Sequence, residues 1–376
     1  MRHQVYTPAV RSIRAGVVLA CIALTAAACS GDGDATTTTV AITTLPPVVT
    51  TAATTTSSTT TSTTTTTSTT TTTLGPQNPS PLSGLEVETP DLLERRAIAA
   101  KIDNHPSARP QSGIQEADLV YELLVEGGLT RFIAVFHHSD STYLGPIRSL
   151  RPTDSTLVTY LDAPLQISGG QDWVQSLARG RGLRMIGDDR VSTFRISSRS
   201  GPHNLYGNTE KMRETADRRG WEDEPPEPIF TFGEPLVRLT SAKTITLDWS
   251  NRPEVIWRFD PISGTYLRSN RDDPHDWMSI DGDRSQIATD TLLVLTARKY
   301  TASPSSGKGT PVPALDTLGE GQVFLFYSGT VVRGAWERES YDDPFKLSLP
   351  SGVDMVVPRG KVWMSIFPTT GGINWE

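Results

Sequence analysis

The chain has 376 residues and a formal net charge of −7, long enough for two domains and too acidic on balance for non-specific binding to nucleic acid or anionic lipid head groups. Its two cysteines, Cys21 and Cys29, both lie near the N-terminus. The remainder of the chain therefore has no disulfide, no cysteine nucleophile and no thiolate metal site.

Arg2, Arg11 and Arg14 precede an apolar run over residues 17–28. About a dozen residues is too short to span a bilayer, which takes about 20, but it suits the core of a signal peptide. The run ends in Ala26-Ala27-Ala28-Cys29-Ser30. This resembles the bacterial lipobox, with Ala26 where Leu is more usual. The resemblance implies that residues 1–28 are a lipoprotein signal peptide and that Cys29 is lipidated. The bilayer is then a partner through acylated Cys29, and the chain sits on the extracytoplasmic face of the cell membrane. An ordinary secretory signal cut near Ala28, leaving a free Cys29, is the alternative. Several acyl chains hold a protein far better than one. Residues 35–73 are nearly all threonine and carry no charge, so they cannot bury enough apolar surface to offset ordering entropy. Residues 29–77 thus read as a disordered, threonine-rich stalk of the kind that is often glycosylated.

Residues 78–220 alternate helical and strand patterns and are expected to form an α+β domain. A strand over residues 97–102 enters a polar loop, and Ser112 is placed to cap a short turn. Strands over 120–125 and 129–136 flank Glu126-Gly127-Gly128, where Gly-Gly signals a two-residue hairpin turn. A helix over 153–161 has Pro152 in its first turn. A strand follows at 164–168, a helix at 172–179, a short strand near Thr193, and a helix over 209–219 that stops at Gly220. The acidic, proline-rich run from Trp221 to Pro228 suits no regular element, so residues 221–239 are expected to be a linker. Beyond it, residues 240–376 show only strand patterns, at 243–249, 254–259, 265–269, 291–297, 322–327, 331–337 and 362–367. That half is expected to be a mostly antiparallel β domain, and the whole chain α+β in class.

Several motifs carry a family resemblance. Ile102-Asp103-Asn104-His105-Pro106, Ala108-Arg109-Pro110-Gln111-Ser112-Gly113, Ala117-Asp118-Leu119-Val120-Tyr121-Glu122 and Glu126-Gly127-Gly128-Leu129-Thr130-Arg131-Phe132 occur in order. Gly145-Pro146-Ile147-Arg148-Ser149-Leu150-Arg151 and Gly201-Pro202-His203-Asn204-Leu205-Tyr206 follow. Together they resemble the YerB-like bacterial lipoproteins, a family defined by a domain of unknown function. Pro274-His275-Asp276 and Gly360-Lys361-Val362-Trp363 resemble that family's second domain. The resemblance implies an envelope lipoprotein and supplies no catalytic residues.

With a Gly127-Gly128 turn, strand alternation puts Glu122, Leu124, Glu126 and Arg131 on one face of the hairpin. That face is either a pocket wall or a solvated surface with weak ion pairs. Asp103, Asn104, His105 and Arg109 occupy the loop after the first strand, and Arg148, Arg151, His203 and Asn204 lie in later loops. Guanidinium groups clustered in loops suit bidentate recognition of carboxylate or phosphate; the alternative is structural bracing of irregular loops. A metal at Asp103, His105 and His203, with Glu122 as base, is a weaker possibility because the spacing fits no established pattern. No cofactor is expected. His137 and His138 are expected at the surface, and His275-Asp276 as a braced turn. The favoured function is binding of a cell-wall component or an envelope protein, and the competing one is an envelope hydrolase using the same cleft.

Overall fold

A computed structural model describes residues 75–235, 240–250 and 254–376. The signal segment, Cys29 and the threonine-rich tract lie outside the described residues. Near the start of the described residues, the Gln77 amide donates to Glu86 Oε2 at 2.6 Å, and Pro79 bridges Glu86.

The fold is α+β, organised on an 11-stranded sheet. Its main strands, in chain order, are β1 (Ile98–Ile102), β2 (Leu119–Leu124), β3 (Thr130–Phe136), β4 (Leu165–Gln166), β5 (Met185–Ile186), β6 (Thr291–Ala297), β7 (Gly319–Tyr327), β8 (Thr330–Arg338), β9 (Lys346–Ser348) and β10 (Val362–Pro368). Their spatial order is β9-β8-β7-β6-β10-β2-β3-β1-β4-β5, and Thr240–Ser241 adds to β8. The helices α1 (Asp154–Val158), α2 (Asp172–Gly180) and α3 (Thr209–Arg218) all come from the first half. Gly220 ends α3 with φ +67°, a left-handed conformation that glycine adopts without a Cβ penalty.

A six-stranded sheet from the second half carries Trp257 and Tyr266 inward. The Trp257 and Trp363 rings meet edge to face with centroids 5.2 Å apart, and Trp363 meets Phe132 at 5.0 Å. One face of the large sheet is covered in this way. The other receives α1: Lys101 reaches Asp154, and the Tyr121 hydroxyl meets that of Tyr160 at 2.5 Å.

The two halves do not have separate cores. β10 lies between β6 and β2, parallel to both, with Trp363 beside Val120 and Ser365 beside Glu122. Buried residues of both halves form one hydrophobic cluster. The expected seam is instead a clamp. Arg96 is 1% exposed, and its guanidinium donates to the Trp221 and Glu222 carbonyls at 2.8 and 3.1 Å and to Asp217 at 2.6 Å. Composition marked this segment as irregular, which it is, but irregular backbone can still satisfy a buried charge.

Two local expectations are also corrected. Ser112 is no cap: it pairs in a short strand, and Gly113, at φ +74°, precedes the Ile114–Glu116 turn. The β2–β3 connection has three residues, because the Val125 amide donates to the Leu129 carbonyl at 2.8 Å. Gly127 and Gly128 both have positive φ. Glu122 therefore opposes Phe132, and Leu123 opposes Arg131. A one-residue change of register sends every side chain of one strand to the other face, so Glu122 and Arg131 lie on opposite sides of the sheet.

Candidate functional site

On the α1 side of the sheet, Asp103 follows β1. The Gly145–Arg148 loop runs beside the end of that strand: the Asp103 amide donates to Pro146, and the Arg148 amide to Lys101, at 2.9 and 2.7 Å. Asp103 is 2% exposed. Its Oδ2 lies 2.8 Å from His203 Nδ1 and 3.1 Å from Arg148 Nε, while Arg131 Nε stands 4.0 Å from its Oδ1. His105 stacks on His203 with ring centroids 5.0 Å apart. Arg151, just before α1, pairs with Glu126 at 2.7 Å. These groups wall a cavity of about 300 Å³ whose lining includes Asp103, His105, Glu126, Arg131, Arg148 and Arg151.

The cleft's electrostatics follow from crowding. Burial, and then the neighbouring Arg151 charge, pull the Arg131 guanidinium down to about 10. Burial alone would raise the Glu126 carboxyl, but the Arg151 hydrogen bond and charge hold it below its ordinary value. Three guanidinium groups face two carboxylates, so the cleft has one positive charge in excess. Among the described residues, neither terminal nitrogen of Arg148 makes a hydrogen bond; Arg131 and Arg151 spend one each on backbone carbonyls, chiefly of Ser149 and Leu150. Behind the cleft, Lys101 and Asp154 pair at 2.6 Å with both side chains fully buried. Burial lowers Lys101 to about 8 despite the Asp154 charge that raises it.

Glu122 belongs to a different site. It is fully buried on the opposite face, where Arg268 donates to its Oε1 at 2.7 Å, Thr130 Oγ1 to the same oxygen at 2.7 Å and Trp363 Nε1 to its Oε2 at 3.0 Å. The Arg268 guanidinium lies over Phe132, Trp257 and Trp363 at 5.4, 5.9 and 5.8 Å from their centroids. It also contacts His275 Nδ1, whose Nε2 meets Gln111 Oε1 at 2.8 Å. Burial, then Arg268, hold His275 well below the usual imidazole range. His275 is thus a core member and not a braced turn. His137 is buried too, against expectation, and is lowered to about 4 by desolvation.

Asn104 and Arg109 join this second network. Asn104 donates to Thr130 Oγ1 at 2.7 Å and accepts from Arg109 Nε at 3.0 Å. Asn204 stands apart from the cleft lining, bonded to Arg195 at 2.8 Å. Among the described residues no group of three or more His, Cys, Asp or Glu side chains is arranged to hold a metal ion. Asp103, His105 and His203 meet through a carboxylate–imidazole contact and a ring stack and not as a ligand set. The sequence reading passed over Arg268, although it lies in phase with Tyr266 on the inward face of its strand. An arginine at a core-facing position is a signal that a buried partner exists.

The comparisons with known proteins bear on this arrangement. Residues 82–222 match the model of the N-terminal domain, and residues 245–364 that of the C-terminal domain, of a protein of unknown function, DUF3048. The chain belongs to the DUF3048 family. A relative is the Bacillus subtilis (strain 168) protein named "Putative lipoprotein YerB", 25% identical over 297 residues, covering 77% of this chain and 86% of the relative. The crystal structure of the YerB protein from Bacillus subtilis superposes with a TM-score of 0.67 at 24% identity, covering 79% of this chain and 99% of that one. The cleft residues all fall within the DUF3048 N-terminal domain. The Glu122 network joins that domain to Arg268, His275 and Trp363 of the DUF3048 C-terminal domain.

Proposed function

We propose that this chain is an extracytoplasmic lipoprotein, anchored in the cell membrane through acylated Cys29, whose arginine cleft binds an anionic group of a cell-wall component or envelope protein. The observation that carries the reading is the cleft itself: Arg131, Arg148 and Arg151 border one cavity with one positive charge in excess and with unpaired guanidinium N–H groups. Planar donors of this kind take carboxylate or phosphate in charge-assisted hydrogen bonds. Like charges held together in a partly buried site are stabilised by an incoming anion. The relative named as a lipoprotein and the lipobox-like run ending at Cys29 support the anchor.

Calorimetric titration of the full chain in detergent with acetate, inorganic phosphate and neutral acetamide tests the reading. Acetate or phosphate is expected to bind and acetamide not to. An Arg148→Gln/Arg151→Gln variant should weaken anion binding at least tenfold. Equal heats from acetamide, or an unaffected variant, would rule the anion site out.

A hydrolase is the second reading, and the Asp103–His203 contact favours it, since a buried carboxylate on Nδ1 orients an imidazole to act as a base through Nε2. Glu122, offered earlier as the base, has no part in it because its carboxylate is spent on Arg268, Thr130 and Trp363.

A further inference from the structure

A second cavity of about 180 Å³ lies across the tip of the β2–β3 hairpin from the arginine cleft, on the side of the Glu122 network that Asn104 and Arg109 join. Leu129 and Thr130, at the tip of the β2–β3 hairpin, line both, and the His105–Pro106 loop contributes His105 to one and Pro106 to the other. The two differ in character. The arginine cleft is walled mainly by charged groups. The second cavity combines apolar walls, supplied by Trp249, Val255, Leu129 and Pro106, with the polar side chains of Asn104, Thr130 and Asn270 and one charged group, Arg109.

Arg109 is the unusual feature. Its guanidinium donates to Asn104 through Nε and Nη2, at 3.0 and 3.1 Å, and among the described residues no carboxylate lies within ion-pair distance of it. Burial and the nearby Arg268 pull it down to about 10. A mostly buried guanidinium without a carboxylate is costly unless a ligand oxygen completes it. The two chambers also reach a useful size together, since small-molecule sites run from about 300 to 1,000 Å³ and pair apolar walls with a few placed polar groups.

Resting on the anion-binding reading above, we infer that the two chambers form one site for the C-terminal end of a short peptide. The terminal carboxylate sits among Arg131, Arg148 and Arg151, the adjacent small apolar side chain packs against Trp249 and Val255, and a peptide carbonyl accepts from Arg109. The net charge agrees, because a terminal carboxylate is a monoanion and the cleft has one cation in excess.

The test is calorimetric titration of the full chain in detergent with acetate, N-acetyl-alanyl-alanine and the C-terminal amide of the same dipeptide, on the wild type and on Arg109→Gln. Glutamine keeps a donor for Asn104 and removes an unpaired charge, so the fold tolerates it, which circular dichroism checks. The dipeptide acid is expected to bind at least tenfold more tightly than acetate, and the amide at least tenfold more weakly than the acid. Arg109→Gln should bring the acid close to acetate while leaving acetate itself within about twofold. Equal affinities for acetate and dipeptide in the wild type, or a dipeptide advantage that survives Arg109→Gln, would overturn the two-chamber site and leave the anion cleft standing. No binding of any anion would remove the cleft reading, and this inference with it.

Discussion

Glu122 and Arg268 are both fully buried and 2.7 Å apart, so removing one charge of the pair has a calculable cost. In Glu122→Gln the Arg268 guanidinium keeps its place between His275 and three aromatic faces but loses its counter-charge. Breaking a buried pair on one side costs about 3–5 kcal/mol. The cation–π contacts with Phe132, Trp257 and Trp363 offset up to about 2 kcal/mol of it. The new amide N–H₂ replaces an acceptor that Arg268, Thr130 or Trp363 donated to, which adds back about 1–3 kcal/mol for an unmet donor. A net destabilisation of about 4 kcal/mol, within about 2–6, is expected. Glu122→Gln/Arg268→Met removes both charges and should be much less damaging than the sum of the single changes, giving a coupling of about 2 kcal/mol or more within the 0.5–3 kcal/mol range seen for contacting residues. Urea unfolding of the full chain, followed by tryptophan fluorescence, measures each midpoint and slope. A Glu122→Gln variant within about 1 kcal/mol of wild type, or additive single changes, would show that this pair does not tie the halves together.

Other consequences are independent of that pair. His137 is held at about 4 by burial, below the ordinary imidazole value of about 6.5, and His275 is lowered as well; the unfolded chain therefore binds more protons, and stability should fall as pH drops from about 6.5 to 4, by up to about 1.4 kcal/mol per pH unit for each histidine. Urea midpoints at pH 7 and pH 5 should show this, and His137→Gln should reduce the difference; an unchanged difference would contradict it. A fragment of residues 78–220 lacks β10 and Trp363 and should give neither dispersed amide resonances nor a cooperative melt; a cooperatively folding fragment would contradict the shared core. Cys29→Ser should abolish metabolic lipid labelling and release the protein into the medium, and unchanged membrane retention would remove the anchor.

Much of this was legible in the sequence, and the remainder failed for identifiable reasons. Helices at Asp154–Val158, Asp172–Gly180 and Thr209–Arg218 and the long strands of the second half fall where period and capping residues put them. Short strands such as Lys346–Ser348 and Gly372–Trp375 are too brief for alternation to show. Asp103, His105, Glu126, Arg131, Arg148 and Arg151 were singled out as loop and hairpin residues, and they do share a cavity. The assignment of Glu122 failed through one extra residue in the hairpin loop, which no local pattern reveals when Glu126-Gly127-Gly128 permits either turn. The single core could not be read either: β10 pairs with β2 across more than two hundred residues, and parallel pairing at that distance leaves no local trace. Arg96 shows the same limit, since a charged residue before a strand gives no hint that a proline-rich segment wraps around it.

The most direct test of the central claim is to watch the guanidinium groups themselves. In ¹⁵N-arginine-labelled full chain in detergent, the side-chain Nε–Hε signals of Arg131, Arg148 and Arg151, assigned by single Arg→Lys variants, are followed during titration with acetate. The cleft predicts saturable shifts of all three with one common dissociation constant, while Arg268, already paired with Glu122, stays in place. Shifts that never saturate, or that appear equally at exposed arginines such as Arg298, would contradict an anion site built from Arg131, Arg148 and Arg151.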